Sequence, residues 1–350
     1  MKPKPILLGT TLAALAAMNA PATAETYEYE DLTVTESVSY SDADFIVTGS
    51  TVVSDVDGDN TVTLSFDNSE VSLNDLTINY NNADTGISLT DSSLNVSGTT
   101  TLVAADGMNA DGNVAYISCN NSSVTLADVT VTSGFLCIED SDGDDSDSVS
   151  SLVITGTLYV GDEETTASAA LNFNYTTTSN RMVDIWMDTI TLADVVTDSR
   201  VVLYCDTLTL TGSVSGDGYF DVDCDQLIIV ISEATYGTSD YAISAEHFLW
   251  SYTIETMVIS VSEEYLAEIV AEAATEYNFQ IIAESALTYF DEEIVVLDDS
   301  WNIDGYEATF ANGVVTLTAV PEPGAFGILA GIAALAVVAV RRARRSRKTA

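Results

Sequence analysis

Two acidic clusters are the densest groups of side chains in this sequence that could bind a ligand. They share a pattern of aspartates at alternate positions, which are Asp55, Asp57 and Asp59 in one cluster and Asp140, Asp142 and Asp144 in the other. Carboxylates spaced in this way can converge on a hard cation, so calcium is the candidate cofactor. Neither cluster completes a calcium loop, because Phe66 and Ser151 occupy the twelfth positions, where a bidentate glutamate is needed. Weak calcium sites and acidic turns between strands both stay open.

Residues for acid–base or nucleophilic catalysis are scarce. The only histidine is His247, next to the apolar run Phe248–Trp250, and no serine lies in a G-x-S-x-G motif. Such a histidine is typical of a structural position, and a Ser/His/Asp triad is not supported. A glycosidase needs only two carboxylates, so a carbohydrate-active enzyme with paired carboxylates stays open as an alternative. We otherwise expect no enzymatic activity.

Charge is distributed very unevenly along the 350 residues. Residues 25–320 contain all but one of the 54 acidic residues but only two basic ones, Arg181 and Arg200, so their formal net charge is −51. Binding to nucleic acid or to anionic lipid requires clustered Lys and Arg, so the charge argues against both classes of partner for this segment. The same scarcity of basic side chains disfavours an enzyme that acts on uronates.

Four cysteines occur in two evenly spaced pairs. Cys119 and Cys137 are 18 positions apart, and Cys205 and Cys224 are 19 positions apart, each within a strand-like run. If one coil of a repeating β fold has this length, the members of each pair lie side by side at ~4.8 Å, within the range for a disulfide. Disulfides Cys119–Cys137 and Cys205–Cys224 are therefore predicted, and unpaired buried thiols are the alternative.

The N-terminal segment 1–24 is typical of a secretory signal peptide. Two lysines precede a short apolar run, and Ala22-Thr23-Ala24 forms an A-x-A cleavage site that places the mature start at Glu25. We therefore expect export and cleavage by signal peptidase.

The C-terminal segment 320–350 combines three features. Pro321-Glu322-Pro323 comes first, and an uncharged apolar run from residue 324 to 340 follows. A basic tail over 341–350 ends the chain and contains Arg341, Arg342, Arg344 and Arg345. Seventeen helical residues span ~25 Å, enough for a short transmembrane helix whose arginines lie at the cytoplasmic side.

This combination resembles the PEP-CTERM sorting signal over residues 320–350 and nowhere else. The resemblance implies that the membrane enzyme exosortase cuts near Pro-Glu-Pro, after transient anchoring in the inner membrane. It also implies a cell-surface or extracellular protein of an exopolysaccharide-producing bacterium, with exopolysaccharide as a candidate partner. The same tail is also known as an ice-binding protein C-terminal domain, which is not a sign of ice binding. An uncut C-terminal anchor is the alternative.

Short runs rich in Val, Ile, Leu and Thr dominate residues 25–261. They alternate polar and apolar residues, which predicts strands, and Asn, Asp, Gly and Ser lie between them. Similar runs begin at Thr189, Thr207 and Gln226, at steps of 18 and 19, and Ser72-Leu73-Asn74 is similar to Ser93-Leu94-Asn95, 21 positions on. The spacing predicts an all-β fold, a β-solenoid similar to a right-handed parallel β-helix. A β-sandwich with irregular strands is the alternative.

Residues 262–319 have a different pattern and are predicted to form a small mixed α/β cap. Apolar residues at helical spacing follow Ser262, which predicts a helix over 262–276 with Ser262 as N-cap. A strand is predicted from Glu293 to Leu297, and Ala311-Asn312-Gly313 predicts a hairpin between residues 306–310 and 314–318.

Taken together, the sequence predicts an exported, acidic surface or matrix protein with a structural or adhesive role. A calcium-stabilised binding module is a further alternative.

Overall fold

The computed structural model describes fourteen segments of the chain. They are residues 24–55, 60–80, 83–104, 114–131, 135–140, 149–160, 182–197, 200–216, 218–232, 242–243, 247–250, 254–271, 276–282 and 292–320. Most of these residues form strands, so the predicted all-β class is confirmed.

Twenty strands belong to one large parallel sheet. Their bounds are β1 Glu25–Tyr29, β2 Leu32–Val34, β3 Val38–Ser41, β4 Ala43–Ser54, β5 Val62–Asp67, β6 Glu70–Tyr80, β7 Thr85–Thr90, β8 Ser93–Ala104, β9 Ala115–Asn120, β10 Ser123–Val131, β11 Phe135–Asp140, β12 Ser151–Val160, β13 Met182–Trp186, β14 Thr189–Thr197, β15 Arg200–Leu210, β16 Val214–Ser215, β17 Tyr219–Ile231, β18 His247–Trp250, β19 Thr256–Val261 and β21 Val295–Leu297.

Most strands bond to the strand two places further along the chain, so the strands form two parallel ladders. The first ladder runs β3–β5–β7–β9–β11–β13–β15–β17–β18. The second runs β4–β6–β8–β10–β12–β14 and continues through the later halves of β15 and β17 to β19 and β21. One coil contributes a strand to each ladder. This parallel pairing is solenoid-like and is not that of an antiparallel sandwich.

Side chains alternate between a common core and the outside. Along the first ladder one buried row consists of Leu64, Ile87, Ile117, Ile138, Ile185, Leu203 and Val222. These residues are register partners in successive coils and belong to one continuous apolar cluster. The period-2 pattern of the sequence therefore places Val, Ile and Leu inside and polar residues outside.

The predicted repeat is correct in one part of the chain and wrong in another. Thr189 pairs with Thr207, and Thr207 with Gln226, so the steps of 18 and 19 are confirmed. Ser72, however, pairs with Asn95 and not with Ser93, so this coil is longer than the predicted step. Coil length varies because the connections between strands differ in length.

A small antiparallel sheet and one helix follow the parallel strands. The helix α1, Glu263–Ala271, lies within the predicted range, and the Tyr265 amide bonds to the Ser262 hydroxyl at its start. β20 (Glu276–Gln280), β22 (Tyr306–Ala311) and β23 (Val314–Ala319) form the sheet, and Asn312 and Gly313 form the predicted hairpin turn with positive φ. Of the predicted strand 293–297 only β21 is extended, because Glu292–Ile294 is a 3-10 turn; a second turn is Asp299–Trp301.

Among the residues that the structure describes, no helix is long and apolar enough to cross a membrane. The predicted helix 324–340 lies outside those residues.

Candidate functional site

A row of buried serines lies at one corner of the stacked coils. It consists of Ser69, Ser92, Ser122 and Ser150. Each hydroxyl oxygen accepts a hydrogen bond from a backbone amide of the preceding coil, at 3.0 to 3.4 Å. The first three hydroxyls also donate to a carbonyl oxygen two residues earlier, at 2.6 to 2.8 Å. The serines therefore satisfy buried backbone groups where the chain turns, which is a structural role.

The residues just before this corner form an exposed Asp/Asn ladder. Asp42, Asn68, Asp91 and Asn121 have φ between 47° and 53°, a conformation that Asn and Asp tolerate. The Asn68 amide donates to Asp42 at 2.5 Å, and the Asn121 amide donates to Asp91 at 2.6 Å. Because amides alternate with carboxylates, like charges are not adjacent. A shallow groove of about 490 Å³ follows this ladder.

A second corner contains a repeated contact that we call the Asp–Gly clamp. The carboxylate of an aspartate in one coil accepts the backbone amide that follows a glycine in the next coil, at 2.8 or 2.9 Å. The pairs are Asp31 with Gly49-Ser50, Asp75 with Gly98-Thr99, Asp128 with Gly156-Thr157 and Asp194 with Gly212-Ser213. A Cβ atom at any of these glycines would lie 2.2 to 2.6 Å from the aspartate Oδ1. The clamp therefore requires glycine.

The clamp shows that the repeating unit is two coils, a period twice as long as the steps of 18 to 21 residues that the sequence predicts. Coils with aspartate alternate with coils with glycine along the second ladder. Two short motifs carry this signal: Asp followed by Leu or Val at residues 31, 75, 128 and 194, and a Ser or Thr before and after glycine at residues 49, 98, 156 and 212. A search for a single period does not align them, because the two motifs never occur in the same coil.

An aromatic pair is the most distinctive feature of the outer surface. The rings of Trp186 and Tyr204, register partners on β13 and β15, are stacked with centroids 3.9 Å apart and planes at 22°. Trp186 is 47% exposed, and it is the only aromatic among the large exposed hydrophobic side chains of the described residues. We call these two residues the aromatic patch. No sequence signal marks this pair, because Trp186 and Tyr204 are 18 positions apart and each lies in an ordinary alternating strand.

Carboxylates flank the aromatic patch in the same outward row. Glu139 is the register partner of Trp186 on one side, and Asp223 is the partner of Tyr204 on the other. Arg200 begins the strand of Tyr204 and forms an ion pair with Asp221 at 3.0 Å. The charged side chains of this surface are therefore mainly acceptors of hydrogen bonds.

The row continues from the patch as a line of small hydroxyl residues. Four serines stack in register toward the N-terminal end: Ser118, Ser88, Ser65 and Ser39. Beside them the ring of Tyr116 extends across Gly86, and its hydroxyl meets the Thr63 hydroxyl at 2.5 Å. A Cβ at Gly86 would lie 2.0 Å from the Tyr116 carbonyl oxygen, so Tyr116 can approach this closely only because residue 86 is glycine.

The predicted pairing of Cys119 with Cys137 is wrong. Cys119 is the register partner of Asp140, and Cys137 is the partner of Tyr116, so the cysteines are three positions out of register. Cys119 is buried, whereas Cys137 is half-buried on the outward side of its strand. Three strand positions correspond to ~10 Å, beyond the range for a disulfide. The coil between β9 and β11 is longer than the spacing of the two cysteines, so that spacing does not bring them together.

Cys205 and Cys224, in contrast, are direct register partners on β15 and β17, as predicted. Both thiols are free in the structure and face each other. The hydrogen bond with Cys224, together with burial, raises the pKa of the Cys205 thiol. The proximity is confirmed, and the disulfide stays a prediction.

The candidate calcium ligands fall mainly outside the described residues. Asp57, Asp59, Asp142 and Asp144 are not among them. Asp55 is buried at the end of β4, and Asp140 ends β11 on the other ladder. Within the part of the chain that is described, no group of three or more His, Cys, Asp or Glu side chains is arranged to hold a metal ion.

The predicted processing residues are also mostly undescribed. Ala22 and the tail residues Pro321, Glu322, Pro323, Arg341, Arg342, Arg344 and Arg345 lie outside the described segments. Ala24 is described, and Glu25, the expected mature N-terminus, is the first residue of β1.

An aromatic cluster lies at the N-terminal end of the stack of coils. The ring centroids of Tyr27 and Tyr40 are 5.0 Å apart, and those of Tyr29 and Phe45 are 5.4 Å apart, so these rings cover the core of the first coil. Burial raises the pKa of Tyr40.

The chain matches no protein-family model, and comparisons with curated proteins and with solved structures give no match.

Proposed function

We propose that this chain is an exported surface or extracellular-matrix protein with a structural or adhesive role and no catalytic activity. Signal peptidase removes residues 1–24, and exosortase processes the tail over 320–350 after transient anchoring in the inner membrane. Residues 25–261 form a right-handed β-solenoid, 262–319 cap it and 324–340 cross the membrane before cleavage.

The observation that carries the structural role is the use of its polar side chains. At the four Asp–Gly clamps, carboxylates bond to backbone amides of the next coil, and at the serine corner the hydroxyls bond to amides of the preceding coil. These groups hold successive coils in register, and their hydrogen bonds go to backbone amides of the neighbouring coil. A stack of coils with a negatively charged exterior suits a spacer or adhesive scaffold, because each coil packs only on its neighbours and added coils extend the outer surface.

Sorting is tested on the protein recovered from the cell surface. Mass spectrometry is expected to find a mature start at Glu25 and no peptide from residues 324–350. Replacing Pro321, Glu322 and Pro323 together by alanine is expected to retain the tail and hold the protein in the inner-membrane fraction. A surface fraction that contains the Arg-rich tail contradicts exosortase processing.

The absence of catalysis is tested with the full chain incubated with soluble and insoluble polysaccharides. New reducing ends would contradict the proposal and favour the paired-carboxylate enzyme. The calcium-stabilised module is tested separately: a melting temperature that falls in chelator would favour it, through Asp55, Asp57 and Asp59 or Asp140, Asp142 and Asp144.

A further inference from the structure

We propose that the aromatic patch, with the flanking carboxylates Glu139 and Asp223, binds an uncharged polysaccharide that lies along the outward row of the first ladder. The inference deepens the proposed function and rests on it, since it names the ligand class of a matrix-associated surface and the residues that contact it.

The aromatic rings provide the apolar part of the contact. Trp186 is 47% exposed, and its stacking on Tyr204 at 3.9 Å fixes the orientation of both rings before any ligand binds. A sugar ring has C–H groups on its faces, which pack on aromatic surfaces. A pre-ordered ring loses little side-chain entropy on binding, which favours affinity.

The carboxylates provide the polar part. Glu139 and Asp223 lie one coil away from Trp186 and Tyr204 in the same row, so about 5 Å separates the backbone of each acid from that of its aromatic neighbour. Sugar hydroxyls are hydrogen-bond donors, and charged acceptors form stronger bonds with them than neutral acceptors do. An aromatic surface between two acceptors matches an uncharged sugar, which has an apolar face and a polar rim.

Charge excludes the anionic glycans. Residues 25–320 have only two basic side chains, and the one described near the patch, Arg200, is paired with Asp221 at 3.0 Å. A uronate polymer would bring its carboxylates next to Glu139 and Asp223 without a compensating cation, which is repulsive.

The serine row gives the site its direction. Ser118, Ser88, Ser65 and Ser39 continue the line of the patch, one residue per coil, and each presents a small side chain with a hydroxyl. The coils repeat every ~4.8 Å, close to the length of one ring in an extended β-linked glycan. A longer oligosaccharide can therefore add one contact per ring and bind more tightly than a short one.

Two other ligand classes fit less well. A protein interface needs ~800 Å² on each partner, whereas two aromatic rings supply a few hundred at most. A quaternary ammonium ligand requires ring faces that converge on one point, but the facing surfaces of Trp186 and Tyr204 are closed by their own stacking.

The test is calorimetric titration of the full chain in detergent with hexasaccharides of matched length and different charge. The uncharged probes are cellohexaose, xylohexaose and mannohexaose; the charged probes are hexagalacturonate and the chitosan hexamer. We expect at least one uncharged probe to bind, its trimer to bind more weakly, and hexagalacturonate to bind at least about tenfold more weakly.

Variants assign the binding to the patch. Trp186→Ala is expected to weaken binding by about tenfold or more, and Trp186→Phe by less, because phenylalanine keeps an aromatic face. Tyr159→Ala is the matched control, since Tyr159 is a half-buried tyrosine on the outer side of the second ladder. Each variant is first checked for an unchanged thermal unfolding curve.

Three results would overturn the proposal: no binding of any uncharged probe, preferential binding of the chitosan hexamer that weakens with salt, or equal affinity of the wild-type protein and Trp186→Ala. These results are distinct from failure of the proposed function, which is judged by the fate of the tail and by new reducing ends. Binding accompanied by cleavage, for example, would support this site and contradict the non-catalytic role.

Discussion

The carboxylate of Asp75 accepts a hydrogen bond from the backbone amide of Thr99 in the next coil, at 2.9 Å. The contact passes over Gly98, where a Cβ atom would lie 2.2 Å from Asp75 Oδ1 and 2.7 Å from the Asn74 carbonyl oxygen. No real side chain fits at these distances. The same arrangement recurs at three other places, so the clamp ties pairs of coils together along most of the stack.

Gly98→Ala is expected to destabilise the fold by about 2 kcal/mol, because the added methyl group must displace both the carboxylate and the backbone. Urea unfolding followed by circular dichroism measures the change in the free energy of unfolding. Thr99→Ala is the matched control: Thr99 is exposed and its backbone amide is unchanged, so its effect should stay within about 0.5 kcal/mol. Equal losses for both variants would contradict the clamp.

Ser92→Ala tests the serine corner. Its hydroxyl accepts the Ser69 amide at 3.0 Å and donates to the Thr90 carbonyl oxygen at 2.6 Å, and the side chain is buried. Removing it leaves a buried amide without an acceptor, which costs about 1–3 kcal/mol. Ser93→Ala, one residue further on and half-exposed on the outside, is expected to change stability little. If urea unfolding ranks the two variants in the opposite order, the corner does not have this role.

The sequence predicts the fold better than it predicts the contacts between coils. Alternation of Val, Ile and Leu with polar residues is a local property, and it identifies strands and the inward row correctly. Register depends on the length of each connection, and those lengths vary, so spacing alone aligns Thr189 with Thr207 correctly but misplaces Ser72. Cys119 and Cys137 are mispaired for the same reason.

The aromatic patch and the Asp–Gly clamps could not be predicted from the spacing of residues along the sequence. Trp186 and Tyr204 come together only because β13 and β15 pair in a particular register, and nothing local to either residue indicates it. The clamps have a sequence signal, in the Asp and Gly motifs of alternate coils, but aspartate and glycine are also ordinary turn residues. Recognising the clamp requires knowing which carboxylate lies over which glycine.

The buried thiol of Cys119 is expected to make the stability of the fold depend on pH. Burial, with a smaller effect of Asp140, raises the pKa of the Cys119 thiol from 9.0 to about 12. Between these values the unfolded chain has released the proton and the folded chain still holds it, so stability falls as the pH rises. The contribution is fully present below pH 9 and is lost by about pH 12, at roughly 1.4 kcal/mol per pH unit.

Cys119→Ala removes this titration, so its stability should fall less steeply between pH 9 and pH 12 than that of the wild-type protein. Tyr116, whose pKa burial also raises, keeps part of the slope in both proteins. Urea titrations at half-unit pH steps measure the slopes. Parallel curves for the two proteins would contradict a buried neutral thiol at this position.

Cys205 and Cys224 form the pair that oxidation should join. They are direct register partners at ~4.8 Å, so a disulfide needs no change in strand register. The bond closes a loop of about 20 residues and is expected to add about 3 kcal/mol to the free energy of unfolding, mainly by restricting the unfolded chain. Oxidation followed by alkylation and peptide mapping should find this link, and reduction should remove the added stability.

The control is the double variant Cys205→Ser/Cys224→Ser, whose stability should not respond to oxidant. Cys119 and Cys137 remain in that variant, and because they lie three positions out of register on opposite sides of their strands, both should be alkylated after denaturation. A Cys119–Cys137 link in the folded protein would show that β9 and β11 pair in a different register. Failure of Cys205 and Cys224 to link under the same oxidant would contradict the register of β15 and β17.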